Sequence, residues 1–313
     1  QFRDIDLAQM AGPAGVEPAT PDLEGAIANS CELSIGALLE QFKQFSMVDR
    51  QAANRTVEDY LLQLSRFFGT IGKHPTQVTA QDIREFLSKF RDKSASTRAN
   101  ILKGLKMFFR EFMKMPQVVE SFKFPKRVFA PKTVPSKEDL QKFFGALENN
   151  RDRAMFLMYA STGLRKTKLL GLTIDDVDLE NRLIIPNGAR ENGTTKMSWA
   201  TCFNVEAETY LRKFREKNNG HDNRLMPMAS VTVKRTFDRA SKKTGIRITP
   251  QVLREWFCSQ LGELGVPDRY VDALCGRTPK SVLARHYTDY SPEKLKRIYD
   301  KANLTVLSQD NQR

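Results

Sequence analysis

The chain has 313 residues, of which 50 are Lys or Arg and 37 are Asp or Glu, so its formal net charge is +13. This length allows two domains of ordinary size, each with its own hydrophobic core, and the positive charge predicts a polyanionic partner such as nucleic acid. The four cysteines, Cys31, Cys202, Cys258 and Cys275, have no CxxC spacing and only three histidines occur, so we expect neither a metal site nor a cofactor.

The first predicted segment, residues 1–32, is rich in Ala, Gly and Pro and has no periodicity, which is typical of a flexible tail. Apolar residues then recur at helical spacing, and this pattern predicts an all-helical domain over residues 33–125. Thr79 is the expected N-cap of one helix, with Asp82 three residues later, and Ser96 is expected to open the next helix.

That next helix has two contrasting faces. Its apolar face carries Ile101, Leu105, Phe108 and Phe112, and its opposite face carries Lys103, Lys106, Arg110 and Lys114. The basic stripe is either a solvated lysine face or a surface that lies along DNA phosphates, and the stripe alone does not decide between them.

A basic, proline-containing linker is predicted at residues 126–135, followed by a second domain at 136–303 and a short tail at 304–313. Ser136 is the expected N-cap of this domain, with Asp139 at the capping-box position. Helical periodicity continues to about residue 170, short alternating segments follow up to Phe203, and helices then return. The predicted fold is mainly α with a small antiparallel β-sheet.

Three short motifs in the second domain have charged or nucleophilic side chains. ASTGLR ends at Arg165 and is followed by LLGL, TPQVLR contains Gln251 and ends at Arg254, and LCGR ends at Arg277, ten residues before Tyr287. In this order the motifs resemble the catalytic domain of tyrosine recombinases, which include phage integrases, Xer proteins and Cre. Arg277 and the ten-residue gap resemble the fusellovirus-type integrases of archaeal viruses and plasmids more than Xer or Cre.

The resemblance implies a core-binding, SAM-like first domain and a catalytic second domain that together enclose duplex DNA. It implies that Tyr287 attacks the phosphodiester to form a 3′-phosphotyrosine, without metal or ATP. The phosphate would be held by Arg165, Gln251, Arg254 and Arg277, and Lys196 would protonate the leaving oxygen.

Several assignments stay open at this stage. Tyr290 competes with Tyr287 as the nucleophile, and Arg190 competes with Lys196 as the acid. Gln251 stands where the family has His, so it can donate a hydrogen bond but cannot transfer a proton. Lys168 stands where the family usually has Glu, a difference that concerns local packing.

The resemblance also implies a homotetramer on two DNA sites that integrates a mobile element into a host chromosome. The stretch PAGVEPAT resembles the translated end of a tRNA gene, which implies an attachment site inside such a gene. Alternatives are a type IB topoisomerase and a DNA-binding regulator without catalysis. No apolar run approaches the roughly 20 residues that span a bilayer and no signal peptide opens the chain, so we expect a cytoplasmic protein with no membrane or small-molecule partner.

Overall fold

The structure is a computed structural model that describes residues 33–126, 128, 130–186, 200–216, 222–277 and 281–308. The chain divides into two compact units, Gln1–Phe129 and Ala130–Arg313. Each unit has its own hydrophobic core. Among the described residues, no helix is both long and apolar enough to cross a bilayer.

The described part of the first unit is helical. Its α-helices are α1 (Ile35–Val48), α2 (Asn54–Ile71), α3 (Ala80–Ser88) and α4 (Ala95–Lys106), and α4 continues into a π-helical turn at Met107–Phe112. Phenylalanines fill the space between them: the Phe67 ring packs edge-on against Phe86 and Phe109, with centroid distances of 5.0 and 5.9 Å. These edge-to-face contacts join α2, α3 and the end of α4 into one core.

The helix starts in this unit follow side-chain capping. The Thr79 hydroxyl accepts from the Asp82 backbone N–H, and the Asp82 carboxylate accepts from the Thr79 backbone N–H, which confirms the predicted N-cap of α3. The predicted opening of α4 at Ser96 is wrong. Ser94 is the N-cap, since its hydroxyl accepts from the backbone N–H of Thr97, and Ser96 lies inside the first turn.

The second unit contains nine described α-helices and a small sheet. The helices are α5 (Lys137–Gly145), α6 (Asn150–Thr162), α7 (Lys166–Leu170), α8 (Val205–Glu216), α9 (Ser230–Thr244), α10 (Pro250–Glu263), α11 (Asp268–Leu274), α12 (Val282–His286) and α13 (Pro292–Ala302). The strands are β1 (Val177–Asp178), β2 (Leu183–Ile184) and β3 (Thr201–Cys202), paired antiparallel in that order. This architecture confirms the predicted fold class.

Helix α6 is the centre of the second core. Every residue from Ala154 to Thr162 is buried, as expected for a helix that is apolar on all sides and packed against neighbours all round. Ser136 and Asp139 form the predicted capping box at the start of α5. Lys168 lies in α7, next to a fully buried Leu169.

The segment after α13 belongs to this core. Leu304 and Val306 are buried, and the Glu206 carboxylate accepts hydrogen bonds from the backbone N–H groups of Val306, Leu307 and Ser308. The packed part of the unit therefore extends at least to residue 308, beyond the predicted boundary at 303.

Candidate active site

The turn between α6 and α7 presents Arg165. Gly163 ends α6 in the left-handed region with φ +61°, a conformation that glycine adopts without steric cost. A Cβ atom at Gly163 would lie 2.4 Å from Cδ1 of Phe257, so the Phe257 ring, on α10, also requires glycine there. The turn places Arg165 as the N-cap residue of α7, with its side chain half-buried.

Arg254 is a buried cation on α10. It is only 3% exposed, and its Nη1 donates to the carbonyl oxygens of Gly163 at 2.6 Å and Cys275 at 2.7 Å. Its Nη2 is buried and has no hydrogen-bond partner among the described residues. Burial lowers the pKa of the Arg254 guanidinium, and the nearby positive charges of Arg165 and Arg277 also lower it. An arginine nevertheless stays protonated in a protein, so a charged donor is held here with one unpaired nitrogen.

The turn after α11 joins the three arginines. The carbonyl of Cys275 accepts from Arg254, and the next carbonyl, that of Gly276, accepts from Nη1 of Arg165 at 3.3 Å. Arg277 follows directly in the chain. The structure thus brings Arg165, Arg254 and Arg277 to one short turn.

Among the described residues, Arg277 has two side-chain partners. Its Nη1 donates to Oδ1 of Asp272 at 3.0 Å, and its Nη2 donates to the sulfur of Cys258 at 3.3 Å. Burial lowers the pKa of Arg277, but interactions with Cys258 and Asp272 outweigh burial, and the net direction is upward. Neither partner was predicted from the sequence. Cys258 lies on a different element from Arg277, and nothing in the spacing of these two residues indicates contact.

Gln251 lies in the first turn of α10 and is exposed. Its Nε2 donates to Oε1 of Glu255 at 3.0 Å, and Lys132 forms an ion pair with the same carboxylate oxygen. The amide is therefore held along its own helix, and in the described part of the chain no hydrogen bond joins it to the three arginines.

The two candidate tyrosines differ in their surroundings. Tyr287 follows α12, its side chain is 77% exposed, and within the described part of the chain its hydroxyl has no hydrogen-bond partner. The Tyr290 hydroxyl donates to the carbonyl of Ala284 at 2.5 Å, and its ring packs edge-on against Tyr270. Lys196 and Arg190 lie in the stretch between β2 and β3, outside the described residues.

The basic side chains of the first unit line a groove. Lys103, Lys106 and Arg110 border it together with Arg50, Tyr60 and Phe124. The Lys106 ammonium lies 5.5 Å from the centroid of the Phe124 ring; burial lowers the pKa of Lys106, and the charge of Arg110 lowers it further. Glu111 pairs with both Arg50 and Arg110. Lys114 lies beyond the end of the helix with φ +56°, so its predicted place on the stripe is wrong.

Comparisons with known proteins place these features in a family. Residues 135–294 match the phage integrase family, and residues 38–117 match the N-terminal SAM-like domain of phage integrases. The chain belongs to the phage integrase family and is a tyrosine recombinase, an enzyme of site-specific DNA recombination.

Individual relatives agree with this assignment. Tyrosine recombinase XerA from Pyrococcus horikoshii is 29% identical over 280 residues, with 85% of this chain and 94% of the relative covered. Tyrosine recombinase XerD from Listeria monocytogenes is 27% identical over 291 residues, with 84% and 97% covered.

Among solved structures, a lambda integrase dimer bound to a COC′ core site has a TM-score of 0.64 at 19% identity, covering 85% of this chain and 80% of that one. The Tn1549 transposon integrase in complex with circular intermediate DNA has a TM-score of 0.59 at 17% identity, covering 83% and 98%. These two likenesses show the shared fold.

Proposed function

We propose that this recombinase cuts and rejoins duplex DNA through a covalent bond between the Tyr287 oxygen and a 3′ phosphate. The phenolic oxygen attacks phosphorus, the bond from phosphorus to the 5′ oxygen breaks, and that oxygen takes a proton from Lys196. The phosphotyrosine preserves the ester, so a 5′ hydroxyl from a second strand can reverse the step without ATP.

The observation that carries the proposal is the unpaired Nη2 of Arg254. An unsatisfied buried donor on a cation is costly, and two backbone carbonyls already fix the same guanidinium. A phosphate oxygen would satisfy Nη2 and receive a charge-assisted hydrogen bond. Arg165, held by the neighbouring carbonyl of Gly276, would contact a second non-bridging oxygen, and both would stabilise the charge that develops in the transition state.

Arg277 and Gln251 would complete the phosphate site. Both now use their donors on protein acceptors, Arg277 on Asp272 and Cys258, and Gln251 on Glu255. A phosphate of higher negative charge density would compete with the Cys258 sulfur for Nη2 of Arg277. Donation from Gln251 requires that its amide leave Glu255.

The different surroundings of the tyrosines favour Tyr287 as the nucleophile. Its exposed phenol is free to turn toward a phosphate, whereas the Tyr290 phenol would first have to give up its hydrogen bond to Ala284. Tyr290 instead fixes the turn on which Tyr287 lies, through its hydrogen bond to Ala284 and its ring contact with Tyr270.

We assign residues 33–125 to DNA core binding, 126–135 to the linker and 136–303, with the packed extension to 308, to catalysis. Both units would contact one duplex, since the chain carries a net charge of +13. A lambda integrase tetramer bound to a Holliday junction has a TM-score of 0.63 to this chain, which supports a tetramer on DNA. The partner would be the attachment site of a mobile archaeal element, located inside a tRNA gene.

The test uses supercoiled plasmids that carry the chain's own coding segment for residues 1–32, mixed with the full chain and quenched with detergent. Recombination produces plasmid multimers and protein-linked DNA, and Tyr287→Phe produces neither. If every plasmid were instead converted to relaxed monomers, without multimers, the protein would be a topoisomerase. Bound DNA without any covalent adduct would assign a regulator.

A further inference from the structure

Two cysteines meet behind the arginine cluster. Cys258 lies in the middle of α10 and Cys275 at the end of α11, and their sulfur atoms are 3.2 Å apart. Both are free thiols; Cys275 is buried and Cys258 is half-buried. A disulfide has an S–S distance of about 2.05 Å, so the two sulfurs need to approach by only about 1 Å to become bonded.

We propose that Cys258 and Cys275 are an oxidation site at which a peroxide closes a disulfide, and that this bond slows DNA cleavage. The bond itself is independent of the proposed function, whereas its effect on cleavage rests on that function. Because Cys275 is buried and Cys258 is half-buried, the site takes a small, uncharged oxidant, and a thiol reductant reverses the change.

The surroundings divide the chemical roles between the two sulfurs. The two thiols share a hydrogen bond; with the Cys275 thiol as its donor, this bond and the positive charges of Arg277 and Arg254 lower the pKa of Cys258 against the opposing effect of burial. The same hydrogen bond and burial raise the pKa of Cys275. Cys258 is therefore the thiolate that reacts first, and Cys275 is the resolving thiol.

The reaction balances with one peroxide. The Cys258 thiolate attacks one peroxide oxygen and becomes a sulfenic acid, while the other oxygen leaves and takes a proton as water. The Cys275 sulfur then attacks the Cys258 sulfur, and the displaced hydroxyl leaves as a second water with the Cys275 proton. Two thiols lose two electrons in total, and hydrogen peroxide gains them.

The bond acts on the arginines through contacts already described. In the disulfide, the Cys258 sulfur has no negative charge, so its attraction for Nη2 of Arg277 is weaker. Cys275 moves toward α10, and its carbonyl and the next one are the acceptors that hold Arg254 and Arg165. A shift of about 1 Å in catalytic groups can cost on the order of a hundredfold in rate, so we expect the oxidised enzyme to cleave at least about tenfold more slowly.

The chemical test treats the full chain with hydrogen peroxide, blocks the remaining thiols and maps the peptides. We expect the mass to fall by two hydrogens and a peptide pair linked through Cys258 and Cys275, also in Cys202→Ala. Free thiols at both positions after treatment, or links that involve Cys31 or Cys202 instead, would overturn the site.

The functional test compares covalent adduct yield in oxidised and reduced enzyme. The wild type and Cys202→Ala should lose yield on oxidation and recover it with dithiothreitol, whereas the ratio of the two yields should be unity in Cys258→Ala. An unchanged wild-type yield despite a mapped disulfide contradicts the control of cleavage. Absence of adduct even in reduced wild type would count against the proposed function, and the peptide map would still decide the disulfide.

Discussion

Nη1 of Arg254 donates to the backbone carbonyl of Gly163 at 2.6 Å, and this bond ties a buried cation of α10 to the turn that presents Arg165. The same nitrogen donates to Cys275, at the turn that presents Arg277. One guanidinium thus sets the positions of two others. A change at Arg254 is therefore expected to act on the whole site.

Substitution of Arg165 or Arg254 should separate catalysis from binding. We expect Arg165→Ala and Arg254→Lys each to lower cleavage by two or more orders of magnitude, because comparable transition-state donors contribute about 3–4 kcal/mol. Duplex affinity should remain nearly unchanged. Gel-shift affinity and adduct yield are measured together, with Arg224→Ala, an exposed arginine paired with Asp222, as the control. Equal losses in affinity and yield would mean that these arginines only bind DNA.

Gly163→Ala should damage the site through packing. The new methyl group would lie 2.4 Å from the Phe257 ring and the backbone has φ +61°, so overpacking and strain together should cost about 2–4 kcal/mol of unfolding free energy. Gly245→Ala is the matched control, since it has φ +73° with nothing within 4 Å of the new atom. Urea unfolding of both variants measures the difference; equal losses would show that backbone strain alone matters. Phe257→Leu should partly rescue Gly163→Ala.

The nucleophile is tested by removal of single hydroxyl groups. Tyr287→Phe should bind DNA normally and form no adduct, because phenylalanine keeps the ring and lacks the attacking oxygen. Tyr290→Phe should still form adduct at a reduced rate, since it loses the bond to Ala284 that fixes the turn. Peptide mapping of trapped wild-type adduct provides an independent assignment. An adduct on Tyr290 would assign the nucleophile to the residue three positions later, and the family assignment would be unchanged.

The general acid is tested with a substrate that needs none. Lys196→Ala should cleave an ordinary phosphodiester slowly and a 5′-bridging phosphorothiolate at nearly the wild-type rate, because a thiolate leaves without a proton. Arg190→Ala serves as the comparison variant from the same stretch. Rescue of Arg190→Ala by sulfur, without rescue of Lys196→Ala, would transfer the role to Arg190.

The groove of the first unit should contribute to DNA affinity. Neutralising Lys103, Lys106 and Arg110 together should reduce the slope of log K against log salt by about two to three units. We expect the reduction to be nearer two units, because Glu111 already pairs with Arg110. The control neutralises three exposed cations outside the groove, Lys89, Arg91 and Lys93. An equal change in both variants would indicate a general effect of net charge.

Local signals in the sequence predicted much of this structure. Helical periodicity and side-chain caps located α3 and α5, because a cap depends on residues three positions apart. The π-helical turn at Met107–Phe112 was not predicted, and it changes which side chains share a face after Lys106. The motifs identified the three arginines as a group.

The contacts that hold those arginines could not be predicted. Cys258 meets Arg277, and Arg254 meets Gly163, only because α10 packs against α6 and α11, and periodicity carries no information about which helices become neighbours. The packing of residues 304–308 on Glu206 is of the same kind, since a hundred residues separate the partners.

Helix α13 is anchored to helices α6 and α10 of its own chain. The buried Tyr299 hydroxyl donates to the carbonyl of Ser161 at 2.7 Å, and its ring stacks on Phe257. Tyr287 precedes this helix by five residues, a length that spans at most about 18 Å when fully extended. While α13 stays docked, Tyr287, the proposed nucleophile, therefore cannot travel far from the arginines of its own subunit. We expect cleavage in cis, with each subunit attacking the phosphate that it holds.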